Sequence, residues 1–417
     1  MGLTRMLAHL AIRTARVLIV EAPGQWLTRA ELEQQMLRRG WRAAWTPAEA
    51  DVLVVCGVPG PELGELVERL WEQMPGPRVR ADVPSPTAVG GALDAAASLL
   101  LDTPYHRMDA QARAREPQIP DDHGQMDPEG HGHHQDMGHE GMDHGGHEGM
   151  DHGGHEGMDH GGHEGMDHGD HEGMDHGDHE GMDHGDHEGM DMAPAGIALA
   201  QGGQDRDGLE MDVLHLPLGP VLPFWPAGLV LLCSLQGDVV VDAEASIVDA
   251  SGQTSGGSEP EAHPASATAL RCDGVMALLA IAGAGHATTC ARHARDALLR
   301  GDQPAAREAI EALHRTVRKS WLLRWSLRGV LPLDQSDLAR HDLPKGCRGD
   351  AHDRLSSMVE GLRAEIGGAG LAPAVTDAVP WEAVPQLVVG LELATARLAV
   401  ASLGLEPFAA TQGVGHA

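Results

Sequence analysis

The hydrophobic pattern divides the chain into an alternating strand–helix part, a long stretch with no apolar periodicity, and a mainly helical part. Near the start, Val17-Leu-Ile-Val20 is a continuous apolar run that predicts a buried strand. Pro23 and Gly24 mark a loop, and Thr28 with Glu31 predict a capping box opening a helix to Arg38, stopped by Gly40. Residues 51–56 are a second apolar run, typical of a parallel sheet covered on both faces. Leu63, Leu66, Val67 and Leu70 then share one face of a helix over residues 62–74. Residues 79–83 predict a third strand and 88–101 a third helix. The alternation predicts an α/β N-terminal domain, with a small doubly wound parallel sheet, over residues 1–108.

The last part, residues 198–417, opens with Leu229-Val-Leu-Leu-Cys233, a Gln236-Gly237-Asp238 turn and Val239-Val-Val241, which predict a β-hairpin. A loop rich in Ser, Gly and Pro follows over residues 250–267. Helical periodicity then covers 286–300, 303–328, 352–365 and 386–403, with Gly301 ending one helix and Asp302 and Pro304 starting the next. A mainly α-helical bundle with a small β-hairpin is predicted. Within it, residues 315–328 are basic and aromatic. They suit a membrane surface, but the expectation is that their Trp and Leu stripe packs inward.

Residues 109–197 carry no such pattern. From His139 the chain repeats the octapeptide H-E-G-M-D-H-G-G/D six times, with a truncated seventh copy ending at Met192. Residues 121–192 hold 17 of the 27 His, 10 of the 18 Met and 22 Asp and Glu, but no Lys or Arg and no Leu, Val, Phe or Trp. Such a segment cannot repay its ordering entropy by burial, so a disordered linker is expected.

What it does offer is metal ligands: His139, His144, His147, His152, His155, His160, His163, His168, His171, His176, His179, His184 and His187, with the thioethers of Met142, Met150 and Met158. Pairs such as His144-Gly-Gly-His147 can chelate one ion through a short loop. Imidazole suits divalent nickel, zinc and copper, and thioether adds cuprous copper. The bland alternative is a repeat expansion without a selected role.

Charge and cysteine usage narrow the remaining classes. The formal net charge of -32 is mostly local, since outside the tract 40 acidic face 30 basic residues. That balance argues against nucleic acid as a partner, which would call for a basic stripe along the phosphates. The five cysteines, Cys56, Cys233, Cys272, Cys290 and Cys347, include no C-x-x-C pair, and their long separations fit a reducing compartment. The N-terminus lacks a continuous secretory core, and no stretch reads as a transmembrane segment. A cytoplasmic protein is expected.

His286, Cys290 and His293 share one helix face and form a second candidate metal site, against the simpler reading of Cys290 as a small buried apolar residue. His352, between Asp350 and Asp353, reads as helix-start capping. No nucleophile elbow, phosphate loop or dinucleotide fingerprint is present, and no catalytic residue is assigned.

Two stretches carry a family resemblance. Residues 50–78, A-D-V-L-V-V-C-G-V-P-G-P-E-L-G-E-L-V-E-R-L-W-E-Q-M-P-G-P-R, resemble the 20 kDa iron–sulfur subunit of NADH:ubiquinone oxidoreductase and the small subunits of nickel–iron hydrogenases. Residues 216–242, L-P-L-G-P-V-L-P-F-W-P-A-G-L-V-L-L-C-S-L-Q-G-D-V-V-V-D, are similar to the start of the partner 49 kDa (large) subunit. Gly349-Asp-Ala-His-Asp-Arg354 is similar to that subunit's G-D-x-x-x-R helix start. The resemblance implies a fusion of two subunits that dock on each other.

The departures shape the functional expectation. Where the resemblance implies cluster cysteines, the chain reads Glu21-Ala-Pro-Gly24 and Ala81-Asp-Val-Pro-Ser85, with no P-G-C-P loop. The quinone motif H-P-x-x-H reads Leu222-Pro-Phe-Trp-Pro226, and the C-x-x-C ligands of a nickel–iron centre are missing. The expectation is therefore a non-catalytic relative of this oxidoreductase pair, without a 4Fe–4S cluster, serving assembly, metal handling or regulation. Its expected partners are respiratory or hydrogenase complex subunits or their assembly factors. The alternative is a working electron-transfer subunit with unrecognised cluster ligands.

Overall fold

The structure is a computed structural model and describes residues 12–113, 201–204, 210–249, 264–367 and 379–405. The first strands are β1 (Arg16–Glu21), β2 (Arg42–Ala43), β3 (Val52–Cys56) and β4 (Val79–Val83). They pair in parallel in the order β2-β1-β3-β4. Helices α1 (Trp26–Arg39), α2 (Pro61–Gln73) and α3 (Val89–Leu100) follow β1, β3 and β4.

All five residues of β3 are buried, which explains why it reads as an unbroken apolar run. Val52, Val54 and Cys56 meet Leu32 and Met36 of α1 and Leu93 of α3. Leu53 and Val55 face the other way, with Leu18 and Val20 of β1 and Leu63 and Val67 of α2. A doubly covered parallel sheet is what the pattern predicts.

Two local readings change. The expected Thr28/Glu31 capping box is not formed, because α1 begins at Trp26. Thr28 is instead buried inside the helix, and its hydroxyl donates to Gln25 Oε1 at 3.0 Å. Gly40 does end the helix, in the left-handed conformation at φ 79°. A helix absent from the sequence reading, α4 (Thr103–Arg113), also carries the folded part beyond residue 108. Its Asp109 pairs at 3.1 Å with Arg78, whose guanidinium lies 4.1 Å from the Trp71 ring centroid.

In the second part the expected hairpin is half of a larger antiparallel sheet. Its strands β5 (Gln201–Gln204), β6 (Glu210–Leu218), β7 (Leu229–Gln236) and β8 (Val239–Ile247) pair in chain order. β5 was invisible because Gln-Gly-Gly-Gln has no apolar side chain. On β7, Leu229, Leu231, Cys233 and Leu235 are buried against Val384, Val388, Ala396 and Val400.

The helices are α5 (Pro264–Ile281), α6 (Gly285–Leu299), α7 (Gln303–Lys319), α8 (Trp321–Leu327), α9 (Gln335–Arg340), α10 (Ala351–Ile366), α11 (Val384–Val388) and α12 (Leu393–Leu403). They enclose one core, with Leu278, Leu279, Ile310, Leu313, Leu355 and Val359 fully or almost fully buried. Asp302 caps α7 as predicted, accepting from Ala305 N–H at 3.1 Å.

The expected helix over 303–328 breaks at Ser320, whose hydroxyl accepts from Leu323 N–H at 3.2 Å and starts α8 in a new phase. Leu323 and Leu327 then turn into the core. Trp321 and Trp325 face outward, 75% and 73% exposed, the reverse of the inward packing expected of them. The helix expected over 386–403 divides into α11 and α12 around Gly390, at φ 85°.

The described residues on both sides of the histidine-rich tract fall in one compact unit. The tract, with its candidate ligands from His139 to His187 and Met142, Met150 and Met158, lies outside the described residues. Among the described residues no helix is long and apolar enough to cross a membrane.

Candidate functional site

In a sheet ordered β2-β1-β3-β4 the connections run in opposite directions from β1 and β3. Ligands of such folds bind in the crevice between the C-terminal ends of those two strands. Here the crevice is bounded by the loop after β1, residues 22–25, and the loop after β3, residues 57–60. Gly57 has φ 88°, and a side chain there would collide with Gln25, which packs directly across it. The N-terminus of α2 points its free N–H groups at this place, an arrangement that favours an anion.

That anion is Asp249, just past β8. Its carboxylate accepts from Glu62 N–H at 3.0 Å and Leu63 N–H at 3.4 Å. In return, the Glu62 carboxylate accepts from Asp249 N–H at 3.1 Å. Gly60, the residue before α2, leaves room for this, because a Cβ there would strike the Asp249 carboxylate. Two segments 187 residues apart thus complete one reciprocal cap.

Beside it lies an ionic cluster. Arg29 of α1 binds Asp273 of α5 at 2.5 Å, Glu33 at 2.7 Å, and Glu21 at the end of β1. Arg295 of α6, fully buried, binds Glu33 and Asp273, each at 2.7 Å, and Asp296 at 2.9 Å. Burial opposes the charge of Asp273, but the two guanidiniums outweigh it and hold its carboxyl below the usual range. At Glu21 burial wins over Arg29 and pushes the carboxyl up. Apolar contacts continue the seam: Val221, Val230 and Val248 join the Leu53–Val55 side of the parallel sheet, and Trp26 joins the helical core.

The segment of residues 222–226 belongs to the same seam. Phe224, at φ 61°, meets Trp45 edge to face with ring centroids 6.0 Å apart. The Trp225 indole donates to Leu229 O at 2.8 Å.

The residues do not fit the 4Fe–4S cluster that the resemblance implies. Such a cluster needs four thiolates. The first half has only Cys56, which faces the core between the sheet, α1 and α3. All five cysteines are unpaired and buried. Burial raises the thiol of Cys56 and pushes those of Cys233 and Cys272 up to about 11 and about 12. It also raises Cys290 and Cys347.

The second candidate metal site is not assembled as a three-ligand set. Cys290 Sγ lies 4.0 Å from His286 Nε2, but Cys290 is part of the helical core while His293 is exposed. Among the described residues the only grouping of three such donors within 4.8 Å is Asp350, His352 and Asp353. There Asp350 and Asp353 form the capping box of α10, and Asp350 also accepts from Gly329 N–H at 3.0 Å, so these carboxylates are engaged as caps.

The sequence reading missed Asp249, Asp273 and Arg295. The one available signal was Asp273, between Cys272 and Gly274 in the mostly apolar stretch 264–281; Arg295 sits among other polar residues and gave none. Comparison with known protein families, curated proteins and solved structures finds no match to this chain.

Proposed function

We propose that the chain is a non-catalytic relative of the electron-transfer subunit pair of NADH:ubiquinone oxidoreductase and nickel–iron hydrogenases. On this reading the two fused halves form a scaffold that displays a metal-binding His/Met-rich tract in the cytoplasm. Its role is assembly, metal handling or regulation of such complexes. The observation that supports it best is the filled switch-point crevice. Asp249 and Gln25 occupy the place where a fold of this class takes a ligand, while 17 imidazoles are concentrated in the tract.

Metal analysis of the purified chain tests the reading. The intact protein should bind several nickel, zinc or copper ions, and the protein lacking residues 121–192 should lose most of them. After anaerobic reconstitution with iron and sulfide, iron should stay well below one cluster per chain, without the broad thiolate-to-iron absorbance. A stable cluster at one per chain, lost on changing a cysteine, would overturn the proposal in favour of a working electron-transfer subunit.

A further inference from the structure

Between Glu311 and Asp334 the sequence has no acidic residue, yet it carries Arg315, Arg318, Lys319, Arg324 and Arg328. All five are exposed, and among the described residues none has a carboxylate within 4.0 Å. Arg315, Arg318 and Lys319 lie on the C-terminal half of α7 and Arg324 and Arg328 in and just after α8, where Trp321, Leu322 and Trp325 are 75%, 57% and 73% exposed. The orientation is fixed by the fold, because Ser320 caps α8 and Leu323 and Leu327 anchor its opposite side in the core. Two indoles and a leucine held outward in a segment whose only charged side chains are cations mark the face as a candidate contact surface.

We propose that this face binds an anionic lipid surface. Indole rings partition to the boundary between headgroups and acyl chains, and Lys and Arg around them attract anionic headgroups. Charge complementarity selects the lipid. The chain as a whole carries a formal charge of -32, so its approach to an anionic bilayer depends on a local run of cations such as this one. The patch is therefore a local, oriented attachment point. This inference goes beyond the proposed metal role and does not depend on it.

The test is co-sedimentation of the full chain with vesicles of phosphatidylcholine alone or with about one-third phosphatidylglycerol. Binding is expected to the anionic vesicles only, weakening with salt, with a blue shift of tryptophan emission. Each cation near the surface contributes a factor of roughly five, so R318Q/K319Q should weaken binding roughly thirtyfold. W321A/W325A should abolish binding and the blue shift, while the melting temperature stays unchanged because both rings are exposed. Equal binding to neutral vesicles, no binding to either, or full binding by W321A/W325A would overturn the proposal. So would a failure to bind vesicles together with self-association lost in W321A/W325A, which would assign the face to a second copy of this chain or another protein.

Discussion

Asp249 and Glu62 cap each other: each carboxylate accepts from the other's backbone N–H, at 3.0 and 3.1 Å. The pairing stitches the turn after β8 to the start of α2. Replacing Asp249 with Ala should cost about 0.5–2 kcal/mol, the range of a lost helix cap. Asn should cost less than Ala, because its single amide oxygen can keep the bond from Glu62 N–H while the one from Leu63 N–H is lost. Gly60→Ala should be destabilising too, since its Cβ meets the same carboxylate. Urea midpoints at constant slope would report all three. An Asp249→Ala protein as stable as the parent would remove the cap from the seam.

Asp273 and Glu21 should respond to pH with opposite signs. Asp273 is held below the ordinary carboxyl range, so its contribution is present above the unfolded value and lost as pH falls through the folded one. The acid limb of stability should thus steepen below about pH 4, and Asp273→Asn should flatten it. Glu21 is raised by burial, so its contribution is complete below the unfolded value and lost as pH rises through the folded one. At neutral pH, Glu21→Gln should therefore be mild, about 1 kcal/mol, against about 3 kcal/mol for Asp273→Asn, which leaves two buried guanidiniums short of a partner. Denaturation across the acid range distinguishes the two. Equal costs at neutral pH would show that the cluster does not act as described.

Legibility in the sequence followed how local each cause was. β3 could be read because five consecutive apolar residues are buried on two faces, and the ends of α1 and α7 because Gly40 and Asp302 act within one turn. α5 could not, because Pro264–Ile281 is apolar on nearly every face and follows a Ser/Gly/Pro-rich stretch without a clear periodic start. The orientation of α8 was lost through one residue, since Ser320 resets the helical phase and exchanges the inward and outward faces. The seam was almost invisible. Nothing near Glu62 signals a partner at Asp249, nor anything near Arg29 one at Asp273. The metal-binding expectation, in contrast, needs only ligand chemistry and spacing.

Cysteine chemistry gives a further prediction. The thiolate is the reactive form, and burial disfavours it at all five positions, with Cys233 and Cys272 moved up to about 11 and about 12. Native protein should show almost no reaction with an aromatic disulfide reagent at pH 8, and unfolded protein should release five equivalents. Fast reaction of even one native thiol would expose it to redox chemistry and weaken the scaffold reading.

The seam also predicts how the protein survives cleavage. Arg29–Asp273, Glu33–Arg295 and the Asp249–Glu62 cap all join residues before the tract to residues after it. Cutting the chain once within residues 121–192 should leave both fragments eluting together on gel filtration. Asp273→Asn combined with Asp249→Ala should let the cut fragments separate. Separation of the cut parent protein would mean that the covalent connection alone holds the halves together.

Metal binding by the tract should be switched by mild acid. An imidazole must be neutral to coordinate, and its reference pKa is about 6.5. Several ions per chain should therefore bind near pH 8 and be released near pH 5. Titration of nickel, zinc and copper into the full chain at both pH values, and into a chain lacking residues 139–192, measures the effect. Replacing His286 or Cys290 should leave the stoichiometry unchanged, because their face of α6 brings only two donors together and one of them is in the core. If removing the tract leaves the number of bound ions unchanged, the repeat is not the binding site, and His286, Cys290 and His293 become the residues to test next.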